Sequence, residues 1–272
     1  MTQSFESDAA AVGARIAARL RDAAPELRGQ WTSASPVRHF VIDDLLPATE
    51  AEEVFRALPP SSSLMRKKSL RESKWVGVAV DDYHPAIGAH LFAFQDRAVL
   101  EAIADITALR SIDADPSLYA SGISVMEHGD FLNPHLDNSH DGDQRRYRVL
   151  NLLYYVSPGW SLQDGGNLEL WSADLKTPRV VESKFNRLVV MATDDRSWHS
   201  VQRVAADRPR ACLSNYYFSA VAPGDHEYRN VTSFRGRPEE GLKRWLLRAD
   251  SAALNLIGRA LPWLVRRNRH RR

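Results

Sequence analysis

Asn133-Pro134-His135-Leu136-Asp137-Asn138 sets a histidine and a carboxylate two residues apart. In an extended segment, period-2 geometry points both side chains to one face, where they could clasp a single ion. A bare His-x-Asp is a weak signal, because the two residues fall at this spacing by chance in many surface loops. A third ligand is available downstream in Trp198-His199-Ser200-Val201, at the start of another β-rich run. Two histidines and one carboxylate leave three adjacent coordination positions open, the facial arrangement by which non-haem Fe(II) holds a cosubstrate and dioxygen together. Past His199, after the turn Ala205-Ala206-Asp207-Arg208-Pro209, stands Arg210 at the head of a strand-like run. A hairpin would return its guanidinium toward His199, where it could grip the far carboxylate of a dicarboxylate cosubstrate bidentately. Arg208 competes for that role.

These residues need a rigid frame, and the chain predicts one rich in short strands. Val37–Ile42, Val76–Val80, Gly122–Val125, Val149–Val156, Leu168–Trp171, Arg187–Met191, His199–Val204 and Ala211–Phe218 are β-rich runs separated by Gly, Pro, Asn and Asp clusters. Helical periodicity covers about Ser7–Leu27, a segment opening at Pro47 with Val54, Phe55 and Leu58 on its buried face, and roughly His90–Leu109. Many short strands with turn punctuation favour a sandwich or jelly roll with helices outside, a mainly β, α+β fold. The layout expected is an N-terminal helix and connector over 1–36, a jelly-roll domain over 37–222, and a C-terminal amphipathic helix with a basic tail over 223–272.

Composition bounds the reading. With 44% hydrophobic and 26% charged residues among 272, the chain has ordinary globular character. A single cysteine, Cys212, rules out an intramolecular disulfide and any zinc site built on several thiolates. Neither a signal peptide nor a spanning segment is visible, which points to a cytoplasmic protein. The net charge of +2 divides into about +6 from Pro238 onward and about −4 before it. An acidic body with a basic tail is a poor profile for specific nucleic-acid binding, although the tail is a candidate for weak contact with a membrane surface or another polyanion. Its apolar face is expected to pack on the jelly roll. His128, His140 and His226 read as solvated loop residues, Cys212 as a small core residue, and Asp164-Gly165-Gly166 as a turn rather than a phosphate cradle.

Taken in order, His135-x-Asp137, Arg148-Val149-Leu150-Asn151-Leu152-Leu153-Tyr154-Tyr155-Val156, Asp164-Gly165-Gly166-Asn167-Leu168-Glu169-Leu170, His199 and Arg210 resemble the Fe(II)/2-oxoglutarate-dependent oxygenases, and within them the prolyl-4-hydroxylase-like branch. The resemblance runs from about Val37 to Phe218. It implies a double-stranded β-helix, Fe(II) held by His135, Asp137 and His199, and 2-oxoglutarate held through its distal carboxylate by Arg210 with help from Asn151. It also implies consumption of O2, release of succinate and CO2, and hydroxylation of an unactivated C–H bond. Related halogenases lack the carboxylate, so Asp137 argues for a halide-free oxidation. Two positions depart from the pattern. Cys212 stands where Arg-x-Ser would place a serine, and Met126 where branch members often carry a tyrosine.

The expected substrate is a small metabolite or biosynthetic intermediate. The alternatives are a prolyl-type residue in a protein, or no reaction at all in a metal-free binding module. The basic stretch Ser63–Trp75, with Arg71 and Lys74, is the candidate mouth of the pocket, and its charge would suit an anionic substrate.

Overall fold

Inward and outward residues alternate along the central strands, so each strand serves two packed layers. In the computed structural model, which describes residues 2–77, 79–116, 118–119, 121–224, 227–241 and 247, twelve strands form one antiparallel sheet. They are β1 (His39–Ile42), β2 (Met65–Lys68), β3 (Glu72–Gly77), β4 (Gly122–Met126), β5 (Phe131–Leu136), β6 (Tyr147–Tyr155), β7 (Leu168–Trp171), β8 (Pro178–Val181), β9 (Arg187–Ala192), β10 (His199–Val201), β11 (Arg210–Ser219) and β12 (Ser233–Phe234). The order β1-β9-β6-β11-β4-β3-β5-β10-β7-β8 is completed by β2 on β3 and β12 on β5.

The sheet curls on itself. Leu152, Tyr154, Leu188, Val190, Ala211 and Leu213 belong to the cluster that receives the helices, whereas their neighbours Tyr155, Val189, Met191 and Cys212 pack against Leu168, Leu170 and Val181 of β7 and β8. The two halves of the sheet therefore face each other across a shared interior. This is the expected jelly roll, a double-stranded β-helix. Among the described residues five helices accompany it: α1 (Thr2–Asp22), α2 (Ala24–Ser33), α3 (Ala48–Arg56), α4 (Pro85–Ala93) and α5 (Arg97–Thr107). Ile16, Leu20, Leu27, Ile87, Leu91 and Ile103 are almost fully buried in the helix-bearing cluster, each side chain worth about 1.5–3 kcal/mol of burial. Among the described residues no helix is long and apolar enough to cross a membrane.

Local chemistry explains where the elements depart from expectation. The N-terminal periodicity divides into α1 and α2 at Ala23, because Pro25 stands in the first turn of α2, where its missing N–H is tolerated. The single helix expected over 90–109 is two, since Asp96 turns extended and its carboxylate accepts from the Ala98 N–H to start α5. Gly13 lets α1 approach this cap; a Cβ there would come within 2.7 Å of the Asp96 Cβ. The basic stretch 63–75 is mostly a hairpin of β2 and β3 rather than a loop. The predicted C-terminal amphipathic helix and tail lie, apart from a few residues, outside the described ones.

One ion pair ties the frame together where β1 ends. Arg187 grips Asp43 with two bonds of 2.6 and 2.9 Å, and Lys184 adds a contact at 2.9 Å. The Arg187 hydrogen bond holds the carboxyl down to about 2 from 3.8. The folded state thus prefers the ionised form, and its stabilisation is full above pH 4 and lost as pH falls toward 2. Because Asp43 is one-third exposed, screening limits the effect. Asp43→Asn should cost about 1 kcal/mol at pH 7 and much less near pH 2, as denaturant titrations at the two pH values would read.

Candidate metal and cosubstrate site

β5 and β10 are antiparallel neighbours, with His135 directly opposite His199. Their rings stand 4.1 Å apart between centroids, and Asp137 follows one residue past the end of β5. Each imidazole gives its Nδ1–H to a backbone carbonyl, His135 to Asn133 at 3.0 Å and His199 to Ser197 at 2.9 Å. A carbonyl can only accept, so the Nε2 atoms carry lone pairs. Both lie 3.7 Å from Asp137, one from each carboxylate oxygen, too far for a hydrogen bond. Two nitrogen lone pairs and a carboxylate thus converge in a buried space, and Asp137 Oδ2 has no hydrogen-bond partner.

Three acceptors facing one another repel unless a cation lies between them, and a donor set of two nitrogens and one oxygen, with backbone-oriented imidazoles, suits a divalent transition metal. Among the described residues, this is the one cluster of three that could hold a metal. The titration behaviour agrees. Burial, followed by the charge of His199, pushes His135 down to about 3 and keeps it in the neutral, ligating form. Burial alone would raise Asp137, but Arg148, His199 and His135 together bring it to about 2.

Arg148, whose site sequence reading missed, begins the inner face of β6. It is 4% exposed, its Nη1 lies 3.4 Å from Asp137 Oδ2, and its guanidinium stacks 4.1 Å from the Tyr216 ring centroid. Tyr216 looks into the same interior, where burial and the Asp137 charge raise its hydroxyl. Parity on β11, in step with Arg210 and Cys212, was the prior signal for Tyr216; Arg148 has the parity of Leu152 and Tyr154 and faces inward past a register shift between Tyr217 and Phe218.

Arg210 and Arg208 separate cleanly. Arg208 is surface-tied, its guanidinium donating to the carbonyls of Pro158 and Gly159 and to Asp164. Arg210 is 3% exposed and opens β11 opposite Met126 of β4. Its Nη1 meets only the Met126 sulfur at 3.9 Å, its Nε has no partner, and no carboxylate among the described residues pairs with it. Its guanidinium lies 4.7 Å from the ring centroid of Tyr155, whose hydroxyl is also buried without a partner. Burial drives that phenol up to about 12, against the pull of Arg210. An unpaired buried cation is costly; here it stands beside an unused hydroxyl, a ready-made carboxylate receptor. Gly166, at φ +63°, makes room for it, since a Cβ would come within 3.3 Å of the Arg210 Cγ.

Asn151 is placed elsewhere. It pairs with Tyr216, six residues along β11 from Arg210, and its Oδ1 is buried without a partner. The polar group beside Arg210 is Tyr155. Cys212 is buried on the inner face, its thiol pushed up to about 11 by desolvation. His128 is exposed as expected, but His140 is buried, bonded to Ser139 Oγ at 2.7 Å and packed at a tilt against the Tyr147 ring; His226 lies outside the described residues. Asp164 closes a short turn through a reciprocal bond with Ser161.

The fold is thus a double-stranded β-helix with two histidines and an aspartate clustered between its two faces. Residues 121–218 match the family described as the 2OG-Fe(II) oxygenase superfamily, and this match together with the His135, Asp137 and His199 cluster indicates a 2-oxoglutarate-dependent dioxygenase that uses Fe(II). Among curated proteins no sequence relative matches. Solved structures share the fold. A prolyl hydroxylase from Trichoplax adhaerens, in complex with a hypoxia inducible factor peptide fragment, is 18% identical with a TM-score of 0.55 over 74% of this chain and 90% of its own. A Pseudomonas putida prolyl-4-hydroxylase is 21% identical with a TM-score of 0.53 over 71% and 98%. A prolyl 4-hydroxylase from Phytophthora capsici is 21% identical with a TM-score of 0.53 over 92% and 78%.

Proposed function

We propose that the chain hydroxylates a small anionic metabolite, with Fe(II) on His135, Asp137 and His199 and the distal carboxylate of 2-oxoglutarate on Arg210 and Tyr155. The observation that carries this reading is the pairing of two unmet demands on one interior face: three converging acceptors that need a cation, and a buried guanidinium and phenol that need an anion. When bound, iron and 2-oxoglutarate supply an oxidant able to break an unactivated C–H bond, with succinate and CO2 as coproducts.

The protein's own residues do the rest. The two backbone carbonyls fix the imidazole tautomers, and Arg148 keeps Asp137 ionised. Arg210 and Tyr155 would hold the cosubstrate's distal carboxylate, and the buried apolar residues Leu168, Leu170, Val189 and Met191 that share a cluster with Tyr155 keep water out.

The substrate class follows from the β2–β3 hairpin. Lys67 and Lys74 stand opposite each other, and the Lys74 charge bears on both His135 and Asp137. Lys74 has Glu72 at 2.9 Å. Lys67 shares the Glu72 charge with Lys74, and burial and then Lys74 lower its ammonium against that pull. A half-buried cation beside a reaction centre is suited to a carboxylate or phosphate on the substrate. Succinate formation above the substrate-free rate, screened over carboxylates, phosphates, neutral sugars and prolyl peptides, tests this, and stimulation confined to neutral compounds or peptides would refute it. For an anionic substrate, Lys67→Ala should raise KM about tenfold or more, the loss of one charged hydrogen bond, and Lys67→Arg should recover most of it.

A further inference from the structure

The segment that follows the jelly roll returns to the metal ligands. β5 has β10 along one edge; its other edge is shared, with β3 covering Phe131 and Leu132 and β12 covering His135 and Leu136. Residues 230–237 therefore fill the edge that β3 leaves open, and they lie beyond the part of the chain that matches the family.

Each ligand, or its immediate neighbour, is touched by this strap. Phe234 stacks on the His135 ring at 5.2 Å and 17°, with the Arg71 guanidinium 5.8 Å from its centroid. Asn230 donates from Nδ2 to the Asp137 carbonyl at 2.8 Å, while its backbone exchanges bonds with Ser139, from Asn230 N–H to Ser139 Oγ and from Ser139 N–H to the Asn230 carbonyl. On the His199 side, Arg235 stacks on Trp198 at 4.8 Å. Arg237 holds buried Glu169 with bonds of 2.6 and 3.1 Å and donates to the Val201 carbonyl. Glu169 in turn accepts from Ser200 Oγ at 2.5 Å, and Ser200 from Trp171 Nε1 at 2.7 Å. One short segment thus braces the ligand from β5, the ligand from the turn after it, and both neighbours of the ligand from β10.

We propose that residues 230–237 are a positioning strap for the metal centre, with Asn230 and Phe234 setting the geometry of Asp137 and His135. The strap supplies no ligand. Asp137 lies just past the end of β5, outside the ladder, and Asn230 anchors its backbone carbonyl there. Groups that orient ligands typically change metal affinity 10–100-fold when lost.

This proposal rests on the triad as the metal site, and the test separates the two. Co(II) is titrated anaerobically into the full chain and followed by its d–d absorption, alongside the melting temperature of each metal-free protein. Absence of Co(II) binding to the wild type would fail the triad reading and the strap with it. Given wild-type binding, Asn230→Ala, which leaves the strap's backbone bonds in place, and Phe234→Ala should each bind Co(II) tenfold or more weakly with an altered d–d band, and Phe234→Tyr should restore both. Affinity within twofold of wild type and an unchanged band in both alanine variants overturns the proposal. The same outcome in one of them strikes that residue from it. A variant whose metal-free protein is unfolded is replaced by its milder partner, Asn230→Ser or Phe234→Leu, judged by the same criteria.

Discussion

Asp137→Asn should lower Fe(II)-dependent turnover by about a thousandfold or more while the protein remains folded. The amide keeps the shape of the side chain but removes the charge that Arg148 holds in place. It also presents amide N–H donors where an acceptor is needed. Arg148 is left 4% exposed with only the Tyr216 and Phe218 rings beside it, so stability should fall by roughly 1–3 kcal/mol. Metal titration, circular dichroism and succinate assays on one preparation check all three expectations. Wild-type metal affinity in Asp137→Asn would exclude this residue as a ligand.

Arg210→Met should separate cosubstrate binding from stability. The thioether chain fills much of the guanidinium's volume next to Met126 and the Tyr155 ring. In the cosubstrate-free protein the wild-type arginine is a buried charge without a carboxylate, and replacing such a group by an apolar one of similar size is often neutral or stabilising. The melting temperature should therefore stay level or rise. Affinity for 2-oxoglutarate should fall about a hundredfold, or about 2.7 kcal/mol, as expected for loss of a charge-assisted bidentate contact. Tyr155→Phe, which removes one hydroxyl donor, should lose about tenfold with the fold unchanged. If Arg210→Met lowers stability by several kcal/mol and leaves 2-oxoglutarate affinity intact, Arg210 is structural and the carboxylate receptor lies elsewhere.

The frame was legible in the sequence to the extent that periodicity carried it. β4, β6, β7, β9 and β11 are runs of apolar and β-branched residues whose parity assigns them to two layers, and the structure bears out the jelly roll. The hairpin of β2 and β3 escaped because Met65-Arg66-Lys67-Lys68 and Glu72-Ser73-Lys74-Trp75 read as charge rather than strand; Arg66 is satisfied by Asp130, a partner far away in the chain. β12, of two residues, is too short to register.

At the site, the residues that sequence brought forward are those with unusual chemistry at a recognisable spacing: His135, Asp137, His199 and Arg210. The structure gathers the first three into one cluster and turns Arg210 inward. Arg148, Tyr155 and Tyr216 were hidden because an inward arginine or tyrosine on a strand looks like any other until the register is known. That register places Cys212 opposite Tyr155 and Tyr216 opposite Asn151, which is why Tyr155 rather than Asn151 neighbours Arg210. Asn230 and Phe234 gave no signal at all, since their significance lies in a chain reversal across an edge that no local pattern announces.

The central claim is that His135, Asp137 and His199 hold the iron that turns over 2-oxoglutarate. Its most direct test is succinate formation by protein reconstituted anaerobically with Fe(II) and 2-oxoglutarate, then exposed to air, beside His135→Ala treated identically. Succinate that requires both iron and oxygen in the wild type and vanishes in His135→Ala is the predicted result, even as slow turnover without substrate. Equal succinate from the two proteins, or a wild type that binds neither Fe(II) nor 2-oxoglutarate, would contradict it.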